Sequence, residues 1–330
     1  MFAHIYIERS VHDHPKTVRI LSHISKMWGA DDISDQITLI DSYKDIFYPA
    51  NGGPNNDRAL ILSAATKDSV FLGSPVCQDF DERYFYYASS AKNCLYDCEY
   101  CYLKGMYPSS HLVIDVDLSP VLDEVKKLLD EHPVYLCISY DTDLVALETL
   151  TGSVREWMEF AAGERHLRIE CRTKCARTDL WGSLRPKDRF IFAFTLSPQE
   201  IITAYEHGTP SLQARIQSIR QAMTCGHPVR LCFDPMIYIK DWEKYYSKML
   251  DLLSRDIDWS RVRDISLGSF RISSSYLRKM RRMMPDSTIV QFPFDLKNGV
   301  YQYPDYLKDK MQTVMLEKLS EYIPRDKIYL

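Results

Sequence analysis

Residues 94–101 read Cys94-Leu-Tyr-Asp-Cys98-Glu-Tyr-Cys101, three thiols separated by three residues and then by two in one short polar loop. A tetrahedral structural zinc site takes four ligands, often supplied as two C-x2-C knuckles. This loop offers three, and no Cys or His stands close behind Cys101 to supply a fourth. Three thiolates on a cubane iron–sulfur cluster leave one iron open, and an open iron binds something else. A partial zinc site and unrelated buried cysteines are the competing readings of the same residues.

A strand over 84–88 leads straight into the loop. Beyond it the hydrophobic pattern predicts a helix over 119–129, a strand over 134–139, a helix over 145–162 and a strand over 167–172. Strands over 190–196, 229–233 and 262–267 follow, with helices over 212–225 and 242–253. Six strands, each followed by helical material, predict an α/β fold, a partial (β/α)6 TIM-like barrel of parallel strands. Chemistry in such barrels sits at the C-terminal strand ends, and the cysteine loop falls just after the first strand.

Residues 1–83 form an expected N-terminal α/β lead-in. It holds strands over 3–8, 37–40 and 59–63, a turn-rich loop over 49–56, and a helix over 15–28 with Val18, Ile20, Leu21 and Ile24 facing one way. The barrel is expected over 84–270 and a C-terminal extension over 271–330. That extension carries a basic helix over 276–284, a hairpin signal at Asn298-Gly299, a helix over 308–322 and a short end strand.

With 330 residues, 45% hydrophobic and 26% charged, the composition is that of a globular protein. Residues 1–8 lack a basic segment followed by an apolar run, and nothing approaches the roughly 20 apolar residues of a membrane span. The expected compartment is the cytoplasm, with no membrane partner. Disulfides are not expected there, and metal binding is the better reading of the clustered cysteines among nine. A net charge of −4 excludes an indiscriminate nucleic-acid binder and leaves room for a local basic groove.

The cysteine spacing, with an aromatic Tyr100 before the third cysteine, resembles the radical S-adenosylmethionine (SAM) enzymes. Within them the chain is most similar to the spore photoproduct lyase family. The similarity is carried by Ile5-Tyr-Ile-Glu8, by Cys98 to Leu103, by Asp143-Leu-Val-Ala-Leu-Glu148, by Thr173-Lys174, by Tyr205 to Ile216, by Pro228 to Ile239 and by residues 301–330. Each motif is weak alone; their shared order is specific.

The resemblance implies that Cys94, Cys98 and Cys101 ligate a [4Fe-4S] cluster whose open iron chelates the amino and carboxylate groups of SAM. Electron transfer from a reduced flavodoxin or ferredoxin-type donor then yields methionine and a 5′-deoxyadenosyl radical. It further implies that Lys174 contacts the SAM carboxylate, that Thr142 and Thr195 hydrogen-bond SAM, and that Tyr102 lies beside the adenine. Tyr100 and Tyr102 match a pair linked to hydrogen-atom transfer. In the family the radical takes a hydrogen from a thymine photoproduct in DNA, the inter-base bond breaks, and a cysteine thiol returns a hydrogen. Taken alone, a strand-end Lys is a solvated charge and a strand-end Thr says little.

The chain departs from the family pattern in two places. Tyr140 occupies the donor-cysteine position, and the nearest thiol, Cys137, lies inside the preceding strand on the opposite face. Three routes stay open: Tyr140 delivers the hydrogen, a bulge brings in Cys137, or no such donor is needed. The C-terminal hairpin is shorter than the family's. Tyr301 and Tyr303 are candidates for stacking on bases, worth about 1–3 kcal/mol each, with Arg271 a further substrate contact. The basic run 278–282 could track phosphates, or be the solvated face of a helix. A related enzyme acting on another nucleic acid or a small molecule, and a non-enzymatic iron–sulfur sensor, are the alternative functions.

Overall fold

Long apolar runs such as Phe190-Ile-Phe-Ala-Phe-Thr195 have no polar face to turn toward water, so they suit a sheet covered on both sides. The computed structural model, which describes residues 2–48, 58–65, 69–74 and 76–330, places them so. The loop expected over 49–56 lies outside the described residues.

Six parallel strands, Phe85–Ala88, Val134–Cys137, Leu167–Thr173, Phe190–Thr195, Val229–Met236 and Val262–Ser269, lie side by side in chain order. Among the described residues the sheet does not close on itself. Ile328–Tyr329 adds a parallel strand at one edge and Val70–Leu72 an antiparallel one at the other. The expected partial (β/α)6 barrel is therefore the observed fold.

The helix expected over 145–162 is two helices, Leu144–Thr151 and Ser153–Gly163. Gly152, at φ +67°, breaks them, and a Cβ there would meet the Arg19 guanidinium at 2.9 Å. The Glu148 carboxylate then caps the second helix, accepting from Val154 N at 2.7 Å. The helix Gln199–Tyr205, which opens behind Pro198, was not expected. In Pro15–Trp28 the buried face is Thr17, Ile20 and Ile24, whereas Val18 is 56% exposed. Residues two apart on a helix lie on nearly opposite sides, so Val18 cannot share a face with Ile20.

The boundary expected at 83/84 does not follow the sheets. The N-terminal sheet runs Ile37–Ile40, Ile5–Glu8, Leu60–Ser63, Leu112–Asp115 and Ala91–Lys92, so its last two strands come from beyond residue 83. Lys16 of the first helix pairs with Glu156 at 2.6 Å, which joins the lead-in to the barrel. The extension forms the expected hairpin, Asp295–Lys297 with Val300–Gln302, and Arg271–Ser273 joins it as a third strand. Its helix Ser274–Met283 packs against Leu103–Met106, the turn that follows the cysteine loop. The contact requires Gly105, because a Cβ there would sit 2.6 Å from the Tyr276 carbonyl oxygen.

Candidate active site

The barrel mouth opens into a cavity of about 270 Å³. The cysteine loop forms one wall, and residues at or near the ends of successive strands form the rest: Tyr140 and Thr142, Lys174, Thr195, Asp234 and Arg271. Two strand residues, Asp97–Cys98, pair antiparallel with Glu206–His207, and Glu99 N donates to Tyr205 O at 2.9 Å. The Arg58 guanidinium holds the loop from the other side, donating to Leu95 O at 2.9 Å and to Cys94 O.

All three loop cysteines line the cavity. Burial raises each thiol, Cys101 up to about 11, while the Lys174 ammonium opposes the rise at Cys98. Buried thiols that must ionise to ligate call for a strongly stabilising cation, which is what a metal group provides. Among the described residues no trio of His, Cys, Asp or Glu side chains gathers tightly enough to hold a single metal ion. Three cysteine thiols lining one cavity fit an iron–sulfur cluster that would take its remaining ligand from elsewhere.

Lys174 is not a solvated charge. Its ammonium donates to Tyr100 Oη at 2.9 Å, touches Cys98 Sγ at 3.5 Å and pairs with Glu206 at 3.5 Å. Burial pulls its pKa down, but Cys98 and Glu206 outweigh burial and raise it well above the ordinary lysine value. Glu206 is fully buried, paired with Arg215 at 2.5 Å and accepting from Ser197 Oγ at 2.7 Å and from Tyr100. Burial opposes ionisation, yet Lys174 and Arg215 hold the carboxyl down at about 2. The site thus keeps a fixed cation beside the cysteine loop. Nothing local in the sequence marks Glu206, because its partners come from distant elements.

Asp143 aligns two strand ends. It caps the helix Leu144–Thr151 through Ala146 N at 3.0 Å and accepts from Thr173 Oγ1 at 2.8 Å and Lys174 N at 2.7 Å. Its neighbour Thr142 lines the cavity with a buried Oγ1 that has no hydrogen-bond partner among the described residues. Thr195 lines the same cavity from its strand end. A buried hydroxyl without a partner is the mark of a ligand position.

The tyrosines divide between two sides. Tyr100 faces Lys174 and Glu206. Tyr102 donates to the Tyr140 carbonyl, its ring 5.1 Å from that of Tyr140, and Tyr140 stacks on Tyr87 at 4.0 Å. Tyr140 and Cys137 both line the cavity. The expected opposition of their faces does not hold, because the strand ends at Cys137 and the chain bends before Tyr140. No bulge is involved: the pairing of Val134–Cys137 with its neighbour is regular.

The expected substrate residues are corrected in part. Tyr303 is 1% exposed, accepts from Tyr238 N at 2.9 Å and packs among Phe270, Phe292 and Phe294, so it has no face for a base. Tyr301 is half-buried beside the Arg281 guanidinium, away from the cavity. Arg271 does line the cavity, but its charge is turned inward, to Asp234 at 2.7 Å and to Val76 O at 2.6 Å. The basic helix spends Arg281 on Val290 O at 3.0 Å and Phe292 O at 2.7 Å, and Lys279 on Tyr107 O.

A parallel partial barrel with a C-x3-C-x2-C loop at its mouth and a fixed cation beside it defines a radical SAM enzyme. The family model for spore photoproduct lyase matches residues 84–330, and the chain belongs to that family. Spore photoproduct lyase of Geobacillus sp. (strain Y412MC61) is 23% identical over 247 residues, 71% of this chain and 72% of that protein. The Bacillus subtilis (strain 168) enzyme is 23% identical over 180 residues, 53% of each. A solved cysteine-to-serine variant of spore photoproduct lyase superposes with a TM-score of 0.82 at 18% identity, covering 99% of both chains. Another variant, solved with bound AdoMet and dinucleoside spore photoproduct, gives 0.80 at 19% identity, covering 100% of this chain and 98% of that one.

Proposed function

We propose that this chain is a radical SAM lyase that reverses a thymine photoproduct in DNA. The observation that carries the reading is the contact of the buried Lys174 ammonium with Cys98 Sγ at 3.5 Å, in a cavity that also holds the unpartnered Thr142 hydroxyl. A cation and hydroxyls set against three thiols suit an amino-acid carboxylate chelated to a cluster.

Cys94, Cys98 and Cys101 would hold a [4Fe-4S] cluster, Lys174 the SAM carboxylate, and Thr142 and Thr195 its polar groups, with Tyr102 beside the adenine. When bound, the cluster and SAM supply one-electron chemistry that yields a hydrogen-abstracting 5′-deoxyadenosyl radical. Lys174 keeps its proton, because Cys98 and Glu206 outweigh burial, so its charge is present when the carboxylate arrives. The tyrosine and phenylalanine walls exclude water from the reacting carbon centres. The one-electron donor is of the flavodoxin or ferredoxin type. The working compartment is the cytoplasm; among the described residues no helix is long and apolar enough to cross a membrane.

Anaerobic reconstitution with iron and sulfide, followed by dithionite, SAM and the dinucleotide photoproduct, tests this. Conversion to thymidylyl-thymidine with formation of the cluster chromophore is expected, and Cys98→Ala removes both. SAM cleavage that leaves the photoproduct intact overturns the substrate, and no cleavage by a cluster-loaded protein overturns the enzyme class.

A further inference from the structure

Among the described residues five cysteines line the cavity: the three of the loop, Cys137 and Cys77. Cys137 ends its strand but is only 6% exposed, packed with Phe85, Tyr87, Tyr135 and Ile191. Cys77 sits elsewhere, on the segment between the edge strand Val70–Leu72 and the first barrel strand, and packs half-buried against that same cluster together with Tyr140.

The described residues around Cys77 are hydrogen-bonded in place. Cys77 N donates to Ser74 O at 3.0 Å and Ser74 N to Tyr87 Oη at 3.3 Å. Arg271 Nε donates to Val76 O at 2.6 Å, and Gln78 Nε2 to Leu330 O at 2.7 Å. The inward-turned guanidinium of Arg271 thus acquires a purpose: it fixes the residue before Cys77 at the cavity rim. Cys77 packs in one cluster with Tyr87 and Tyr140, and the Tyr87 ring stacks on Tyr140, which meets Tyr102 of the cysteine loop. A packed row of thiol and phenol side chains therefore runs from Cys77 to the loop. The unpartnered Thr142 hydroxyl, more than nine-tenths buried, opens into the same cavity and marks where a ligand sits.

We propose that Cys77 returns the hydrogen atom to the substrate radical, replacing the thiol that this chain lacks at Tyr140. The inference rests on the function proposed above. In the step the Cys77 S–H bond breaks, a C–H bond forms on the thymine radical, and a thiyl radical remains. That thiyl takes the hydroxyl hydrogen of Tyr87, its neighbour in the same cluster. Tyr140 and Tyr102 pass the deficit on until a hydrogen returns from the 5′-methyl group of deoxyadenosine; the adenosyl radical so re-formed would recombine with methionine to give SAM and return to the cluster the electron that cleaved it. One hydrogen leaves the photoproduct and one is added, so the turnover balances without a further reductant.

Thiol hydrogens exchange with solvent, so turnover in D2O should place one deuterium on the repaired dinucleotide. Cys77→Ser, close in size and at the rim, is expected to lose most of the repaired product and nearly all of the label, while still cleaving SAM and giving by-products of the unquenched radical. Independently of turnover, iodoacetamide should modify Cys77 of the cluster-loaded protein faster than Cys137, and the dinucleotide photoproduct should slow it. Wild-type yield and label in Cys77→Ser, or loss of the label in Cys137→Ser or Tyr140→Phe instead, overturns the proposal, as does faster modification of Cys137. A wild-type protein that leaves the photoproduct untouched overturns the substrate reading, and the role of Cys77 with it.

Discussion

Thr142 and Lys174 show how single side chains prepare this site before any ligand arrives. Lys174 is held charged in a buried place by Cys98 and Glu206, and Glu206 by Arg215. Thr142 carries a buried hydroxyl with no partner among the described residues, an arrangement that costs stability unless a ligand completes it. Thr142→Val keeps the shape and removes the hydroxyl. The unliganded variant should melt at the same temperature as the parent or higher, while its SAM affinity falls by about fivefold, the worth of roughly 1 kcal/mol for one hydrogen bond. Thermal melts and calorimetric titration check the two arms; a loss of unliganded stability would show that the hydroxyl is already satisfied. Cys98 and its two companions were legible in sequence because their spacing is local. The charge on Lys174 was not, since its stabilising partners come from the loop, from residue 206 and from residue 215.

At the scale of elements, alternation and caps carry most of the information. Pro15–Trp28 and Ile37–Ile40 lie where the pattern puts them, because a Pro start and an alternating run depend only on neighbours. The helix break at Gly152 is decided by the αL backbone and by Arg19 beside it, a residue far away in sequence. The strand Leu112–Asp115 was not foreseen, and it carries a titration of its own. Asp115 is 1% exposed, and burial pushes its carboxyl up to about 6 from 3.8. A folded pKa above the unfolded one contributes stability below pH 3.8 that is lost as pH rises through 6. That component amounts to about 3 kcal/mol. Urea denaturation of the parent and of Asp115→Asn across this range should show the component in the parent and its absence in the variant; equal slopes would refute it.

For the whole molecule, the interleaving of the two main sheets matters most. Residues 91–92 and 112–115 complete the N-terminal sheet from within the expected barrel segment, and Val70–Leu72 returns the exchange. A chain of residues 84–330 alone would expose the edge of Leu112–Asp115, whose four residues are buried, and strand Glu156 without Lys16. Such a fragment is expected to be insoluble or to unfold without a cooperative transition, although the family match covers the same residues. A cooperative melt by circular dichroism would show the barrel to be autonomous. The same long-range packing puts Tyr303 in the core and Cys77 on the cavity rim beside Tyr140, placements no local pattern announces.

The sequence by itself determined the loop chemistry and the alternation of strands and helices, because ligand spacing and hydrophobic period are properties of near neighbours. The tertiary structure alone decided which tyrosines meet, which charges are held in the dark of the barrel, and which thiol stands at its mouth. Those are matters of burial and of contact between residues far apart in the chain, where desolvation and distance set the energies.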